Sequence, residues 1–125
     1  MSEVIVAVRG AVTVDDDGDE AAAMIRAVGS LMEKLREGNG FLPDHIVSIQ
    51  FTQTDDLRKK NAAASLREAC PEYSKAPLFC AREPDVEGML PRTVRILVTW
   101  RGSGPGKPAY LGGAAALRPD LIDGE

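Results

Sequence analysis

Two segments of the chain alternate at period two and place an arginine opposite an apolar stripe. Val4, Val6 and Val8 alternate with Ile5, Ala7 and Arg9. Over Thr93 to Trp100, Val94, Ile96, Val98 and Trp100 share one face, with Arg95, Leu97 and Thr99 on the other. Period-two alternation specifies strands, because successive side chains point to opposite faces of a pleat. The stripe faces need a cover, and the remaining sequence must supply it. The opposite faces, carrying Arg9 and Arg95, are left for water, a ligand or another chain.

The cover is legible. Met24, Val28, Leu31 and Leu35 recur at helical spacing, which predicts a helix over 20–37 with one apolar stripe. The acidic run Asp15 to Glu20 lacks the spaced ligands of a calcium loop and suits a helix N-terminus, while Gly38 reads as its C-cap. His45 to Thr52 reads as a second strand. Asp55 and Asp56 then open a second helix to Cys70, with a narrow stripe of Ala62, Leu66 and Ala69, and Pro71 stops it. Ala76 to Ala81 is a third strand, and Pro77 puts it at an edge or at a strand start. Arg101 to Pro108 is a Gly/Pro-rich loop. Ala109 to Leu111 is a last short strand, Gly112 to Leu117 a turn of helix, and 118–125 a mobile C-terminal tail. The order β-α-β-α-β-β-β predicts one α+β domain over 1–125, a mixed sheet with two helices on one face.

Composition narrows the function classes. The chain has 125 residues and a formal charge of −4. Nucleic-acid and anionic-membrane partners are not expected for it. One histidine, His45, excludes a multi-histidine metal site within one chain. Cys70 and Cys80 have no C-x-x-C spacing, so no metal and no redox pair is read from them. There is no G-x-G-x-x-G and no Walker-type loop, so no cofactor is expected. No signal peptide and no membrane span is readable, which predicts a cytoplasmic protein with reduced thiols. The positive charge sits mostly on arginine, ten against five lysines, and arginine grips carboxylates in a fixed plane. The second sheet face, with Ile5, Ala7, Leu97 and Thr99 beside the two arginines, is half apolar, which suggests oligomerisation with arginines lining clefts between subunits.

Five blocks in order resemble the trimeric, pseudo-α/β-barrel class of chorismate mutase, the AroH type. They are Arg9-Gly10-Ala11-Val12-Thr13-Val14; Ala62 to Arg67; Pro77 to Val86, containing Cys80 and Glu83; Val94-Arg95-Ile96-Leu97-Val98; and Tyr110-Leu111 followed by Ala114 and Leu117-Arg118-Pro119-Asp120-Leu121. The resemblance implies a ferredoxin-like, chorismate-mutase-like sheet assembled as a homotrimer with active sites at subunit interfaces. It implies conversion of chorismate to prephenate in phenylalanine and tyrosine biosynthesis. That rearrangement is intramolecular and involves no covalent intermediate, metal or cofactor.

Carried over by position, Arg95 reaches the ether oxygen and a carboxylate. Arg9 binds a carboxylate with Tyr110 alongside, and Glu83 and Cys80 meet the ring hydroxyl region. Arg67, with Phe79, Cys80, Ala81 and Arg82, closes the cleft from a neighbouring subunit, and Leu117 gives an apolar wall. Read without the resemblance, Arg9 and Arg95 are ordinary solvent-face arginines, Cys80 a small core residue and Tyr110 an interface aromatic. Two features depart from the family pattern: Asn61 where an aromatic or apolar residue is expected, and Pro84 directly after Glu83. Two alternatives remain at this point. One is a trimeric imine deaminase-like enzyme. The other is a non-catalytic trimer that binds an acidic metabolite.

Overall fold

A computed structural model describes residues 3–116. Leu117, Arg118 and the expected tail lie outside the described residues. Five strands form one sheet in the order β3-β2-β4-β1-β5: β1 Val4–Thr13, β2 Ile46–Gln53, β3 Leu78–Arg82, β4 Thr93–Gly102 and β5 Ala109–Leu111. β4 is antiparallel to both β1 and β2, while the edges β3 and β5 run parallel to their neighbours, so the sheet is mixed. β1, the helix α1 (Glu20–Asn39) and β2 make a split β-α-β unit with β4 inserted between the two strands. Only this half corresponds to the ferredoxin-like expectation; α2 falls between β2 and β3, so the second β-α-β half of that order is not formed. The parallel edge strands are additions to the split unit.

The two apolar stripes of the sequence meet on one side of the sheet. Val6, Val8, Val94, Ile96, Val98 and Trp100 pack with Met24, Val28, Leu31 and Leu35 of α1 and with Ala62 and Leu66 of the second helix, α2 (Ala62–Ala69), in a single core. Gly10 is demanded by the close approach of β5: a Cβ there would lie 2.7 Å from the Ala109 carbonyl oxygen.

Besides shifts of one or two residues at other strand ends (β2 is Ile46–Gln53, β3 is Leu78–Arg82 and β4 runs to Gly102), three boundaries differ from the sequence reading, each for a traceable reason. α1 runs past Gly38, and Gly40 caps it at φ 69°. Asn39 extends the helix because its amide donates to Leu35 O and Lys107 O while its oxygen accepts from Lys107 N. β1 continues to Thr13 because it is paired on both sides. The second helix does not begin at Asp55 and Asp56. Its N-cap is Asn61, whose side chain accepts from the Ala63 and Ala64 amides. Upstream, Leu57 O and Lys60 O are taken by the Gln53 amide, and the Asp56 carboxylate is taken by Thr54 Oγ1 and Arg92 N. Competition of this kind holds a segment in turns instead of a helix. Asn61, odd as an active-site aromatic, is well placed as a cap.

Candidate active site

Strand register gathers most of the candidate residues on the face away from the helices. One row across the sheet reads Tyr110, Ala11, Arg95, Thr52, Ala81, and the next reads Arg9, Leu97, Gln50, Phe79. Arg9 and Arg95 are therefore diagonal neighbours on adjacent strands, with Cα atoms roughly 7–8 Å apart. Ala11, between Tyr110 and Arg95, is fully buried although it belongs to the open face. Glu83 follows β3 and is pinned by its amide, which donates to Gln53 O at 2.8 Å.

Charge concentrates at one point of this face. The Thr52 hydroxyl donates to Glu83 Oε1, and Arg95 Nε lies 3.4 Å from the same oxygen. That pair has ion-pair distance but not hydrogen-bond geometry. Arg95 Nε is thus buried with no hydrogen-bond partner, while the rest of the side chain remains part-exposed. Arg95, Thr52, Leu97 and Phe79 line an open cavity of about 310 Å³. Two of its lining residues are exposed and apolar, Phe79 at 62% and Leu97 at 39%.

The structure places other candidates elsewhere. Cys80 is aligned with Phe51 and Arg82 with Gln53, so both point to the helix side of edge strand β3, opposite Phe79 and Ala81. There they line a second cleft, of about 520 Å³, with Gln53, Arg58 and Asn61. The Cys80 thiol donates to Gln53 Oε1 at 3.3 Å, and Arg82 pairs with Asp55 at 3.2 Å. Arg67 is exposed near the end of α2 and lines neither cavity. Within one chain the sheet edge separates Cys80, Arg82 and Arg67 from Arg9, Arg95, Glu83 and Tyr110.

Two titratable groups stay out of the chemistry. Burial, with Glu72 adding to it, pushes the Cys70 thiol up to about 11 and the Tyr73 phenol to about 12. Both side chains sit in the core. Among the described residues no group of three or more His, Cys, Asp or Glu side chains is placed to hold a metal ion, and no helix is long and apolar enough to cross a membrane.

Three residues of the site escaped the sequence reading. Thr52 was detectable, since period two puts it on the Arg95 face of a neighbouring strand. The Asn61 cap was detectable from an Asn just before the apolar positions 62 and 66. Gln53 gave no signal, because its partners come from two separate segments, 57–62 and β3.

Arg9, Arg95 and Glu83 thus share one open sheet face. Comparisons with known proteins bear on the family. The model of the family chorismate mutase type I matches residues 5–121. A chorismate mutase AroH of Thermus thermophilus is 36% identical over 118 residues, covering 91% of this chain and 93% of the relative. Its counterpart in Bacillus subtilis is 32% identical over 117 residues, covering 91% and 90%. A solved chorismate mutase from Clostridium thermocellum superposes with a TM-score of 0.78 at 32% identity, over 86% of this chain and 96% of that one. A match that takes in all five sequence blocks, together with a shared fold, leaves one assignment: this chain belongs to the type I chorismate mutase family and is a chorismate mutase, an isomerase.

Proposed function

We propose that the chain rearranges chorismate to prephenate by conformer selection and electrostatic stabilisation on the Arg9–Arg95 face. The observation that carries this reading is Arg95 Nε, a buried and unbonded donor beside the open-face cavity. The ion pair with Glu83 at 3.4 Å orients the guanidinium without filling its hydrogen bonds, and its part-exposed remainder lines the cavity where a substrate anion can meet it. In the rearrangement the ether C–O bond breaks as a C–C bond forms within the same molecule, and negative charge grows on the ether oxygen. A fixed guanidinium facing that oxygen stabilises the transition state more than the ground state. Arg9, diagonal to it, and Tyr110, in its row, hold a carboxylate and keep the flexible dianion in its compact conformer. Glu83, oriented by Thr52, meets the ring hydroxyl and offers negative charge to the electron-poor ring.

A homotrimer supplies the rest. Leu97 and Phe79 are exposed apolar residues in the row of Arg9, and Ile5 is exposed further along β1, surface of the kind that a second copy covers. Cys80, Arg82 and Arg67, which a single chain keeps on the far side of β3, then reach the site from a neighbouring subunit. The active sites lie at the subunit interfaces.

The deciding experiment is the conversion of chorismate by the purified chain without added metal, with prephenate identified as the product. Absence of turnover in a folded, metal-free preparation refutes the reading. Binding of chorismate without reaction would instead favour a metabolite-binding trimer.

A further inference from the structure

We infer that Gln53 is a positioning residue of the active site, holding the Cys80 wall of the larger cleft at substrate-binding distance. The inference rests on the proposed function for the identity of the substrate and for the subunit interface at which the Cys80 wall meets it. Gln53 ends β2, and its side-chain amide ties that strand to the following 57–62 segment and to distant β3. Nε2 donates to Leu57 O and Lys60 O, each at 3.1 Å. Oε1 accepts from Ala62 N at 2.8 Å and from the Cys80 thiol at 3.3 Å. A primary amide has two donor hydrogens and two acceptor lone pairs, and all four are used. The orientation is unambiguous, since flipping the amide would set oxygen against two carbonyls and nitrogen against an N–H. The Gln53 main-chain oxygen also accepts from Glu83 N at 2.8 Å.

The consequence is a division of labour inside one residue. The main chain fixes Glu83, which belongs to the Arg95 face. The side chain fixes the 57–62 turn and the Cys80 thiol, which belong to the cleft on the other side of β3. With its hydrogen-bonding capacity filled internally, Gln53 lines the cleft without being free to bind a ligand. Its side chain acts through Cys80 and the 57–62 segment. Replacing that side chain leaves the Glu83 anchor and Arg95 untouched and loosens only the gripping wall.

The test compares Gln53→Leu, which keeps the volume and removes all four bonds, with Gln53→Glu. The glutamate keeps acceptors for Ala62 N and Cys80 but loses both donations to the turn. Removing bonds of this kind should raise KM about 10-fold in both variants, with kcat held within about 3-fold. A merely structural role gives the opposite split, because partial unfolding lowers apparent kcat and leaves the KM of the folded molecules unchanged. Two further readouts do not depend on activity. Alkylation of Cys80 by iodoacetamide should rise at least about 5-fold in Gln53→Leu and stay at or below the parent rate in Gln53→Glu, whose carboxylate disfavours the thiolate, with buried Cys70 as the internal reference. Hydrogen exchange at the Ala62 amide should follow the same order. An unchanged KM in both variants, a loss confined to kcat, or failure of both to fold overturns the inference. If the parent chain does not turn over chorismate, the mutase reading fails separately, and equal alkylation and exchange rates in all three proteins would then overturn the role of Gln53.

Discussion

Arg92 and Arg95 stand three residues apart and use their guanidinium groups in opposite ways. Arg92 is saturated. Its Nε donates to Val14 O at 3.0 Å, a terminal nitrogen donates to Asp15 O, and another pairs with Glu20 at 3.3 Å and Asp16 at 3.5 Å. Its amide donates to the Asp56 carboxylate. These bonds hold it at φ 50°, a left-handed conformation that costs a non-glycine residue about 1 kcal/mol or more. Arg92 ties the end of β1, the start of α1 and the turn before α2 into one knot. Arg95 has one carboxylate at 3.4 Å, a buried Nε without a hydrogen bond, and a cavity in front of it. A guanidinium whose donors are filled by its own chain is scaffold. One held by a single ion pair, with the rest of its side chain part-exposed at a cavity, is left able to meet a ligand.

The largest expected effect tests the cavity-facing member of this pair. Arg95→Ala should lower kcat by about 10²–10³, the scale of one lost oxyanion donor, and change folding stability by less than about 1 kcal/mol. Arg95→Lys should not restore the rate, because a point charge cannot reproduce the planar fork. Arg92→Ala should do the reverse. It removes several charge-assisted bonds to part-buried groups and should cost about 2–4 kcal/mol in denaturant unfolding at fixed protein concentration, with kcat of the folded enzyme within a few-fold. A folded Arg92→Ala protein that is as slow as Arg95→Ala would break the distinction.

Smaller effects sharpen it around the partner carboxylate. Glu83→Gln keeps an acceptor for Thr52 but removes the charge facing Arg95, and should lower kcat about 10–100-fold. Thr52→Val keeps the shape and loses the hydroxyl, and should cost about 3–10-fold. Steady-state kinetics on both variants, with circular dichroism to confirm folding, checks the order. A larger loss for Thr52→Val than for Glu83→Gln would mean that the hydroxyl itself meets substrate.

What could be read from residues alone follows the same division. Patterns that repeat along the chain were legible: the valine stripes of β1 and β4, the α1 stripe Met24, Val28, Leu31 and Leu35, and the face assignment of Arg9 and Arg95 all follow from period alone. Features decided by distant partners were not. The α2 start moved from Asp55 to Ala62 because Gln53, on another element, takes the carbonyls that a helix there would use. The separation of Cys80 from Glu83 across β3 was available in principle from parity. It was hidden because the family resemblance grouped them by function and not by face.

The smallest expected effect probes the saturated knot through pH. Burial alone would raise the Glu20 carboxyl, but the Lys59 and Arg58 amides that it accepts, together with Arg92, outweigh burial and hold it below the usual carboxylate value. A carboxyl depressed in the folded state binds its proton more readily once the chain unfolds. Its contribution is therefore fully present above the ordinary carboxylate value and disappears as pH falls through the lower, folded value. Melting temperature should stay level near neutrality and fall on the acid side, and Glu20→Gln should lower the plateau and flatten that acid limb. Arg92→Ala should flatten it too, because it removes one of the groups that depress Glu20, whereas Arg95→Ala should leave it unchanged. An acid limb altered by Arg95→Ala and not by Arg92→Ala would reverse the assignment of scaffold and site between the two arginines.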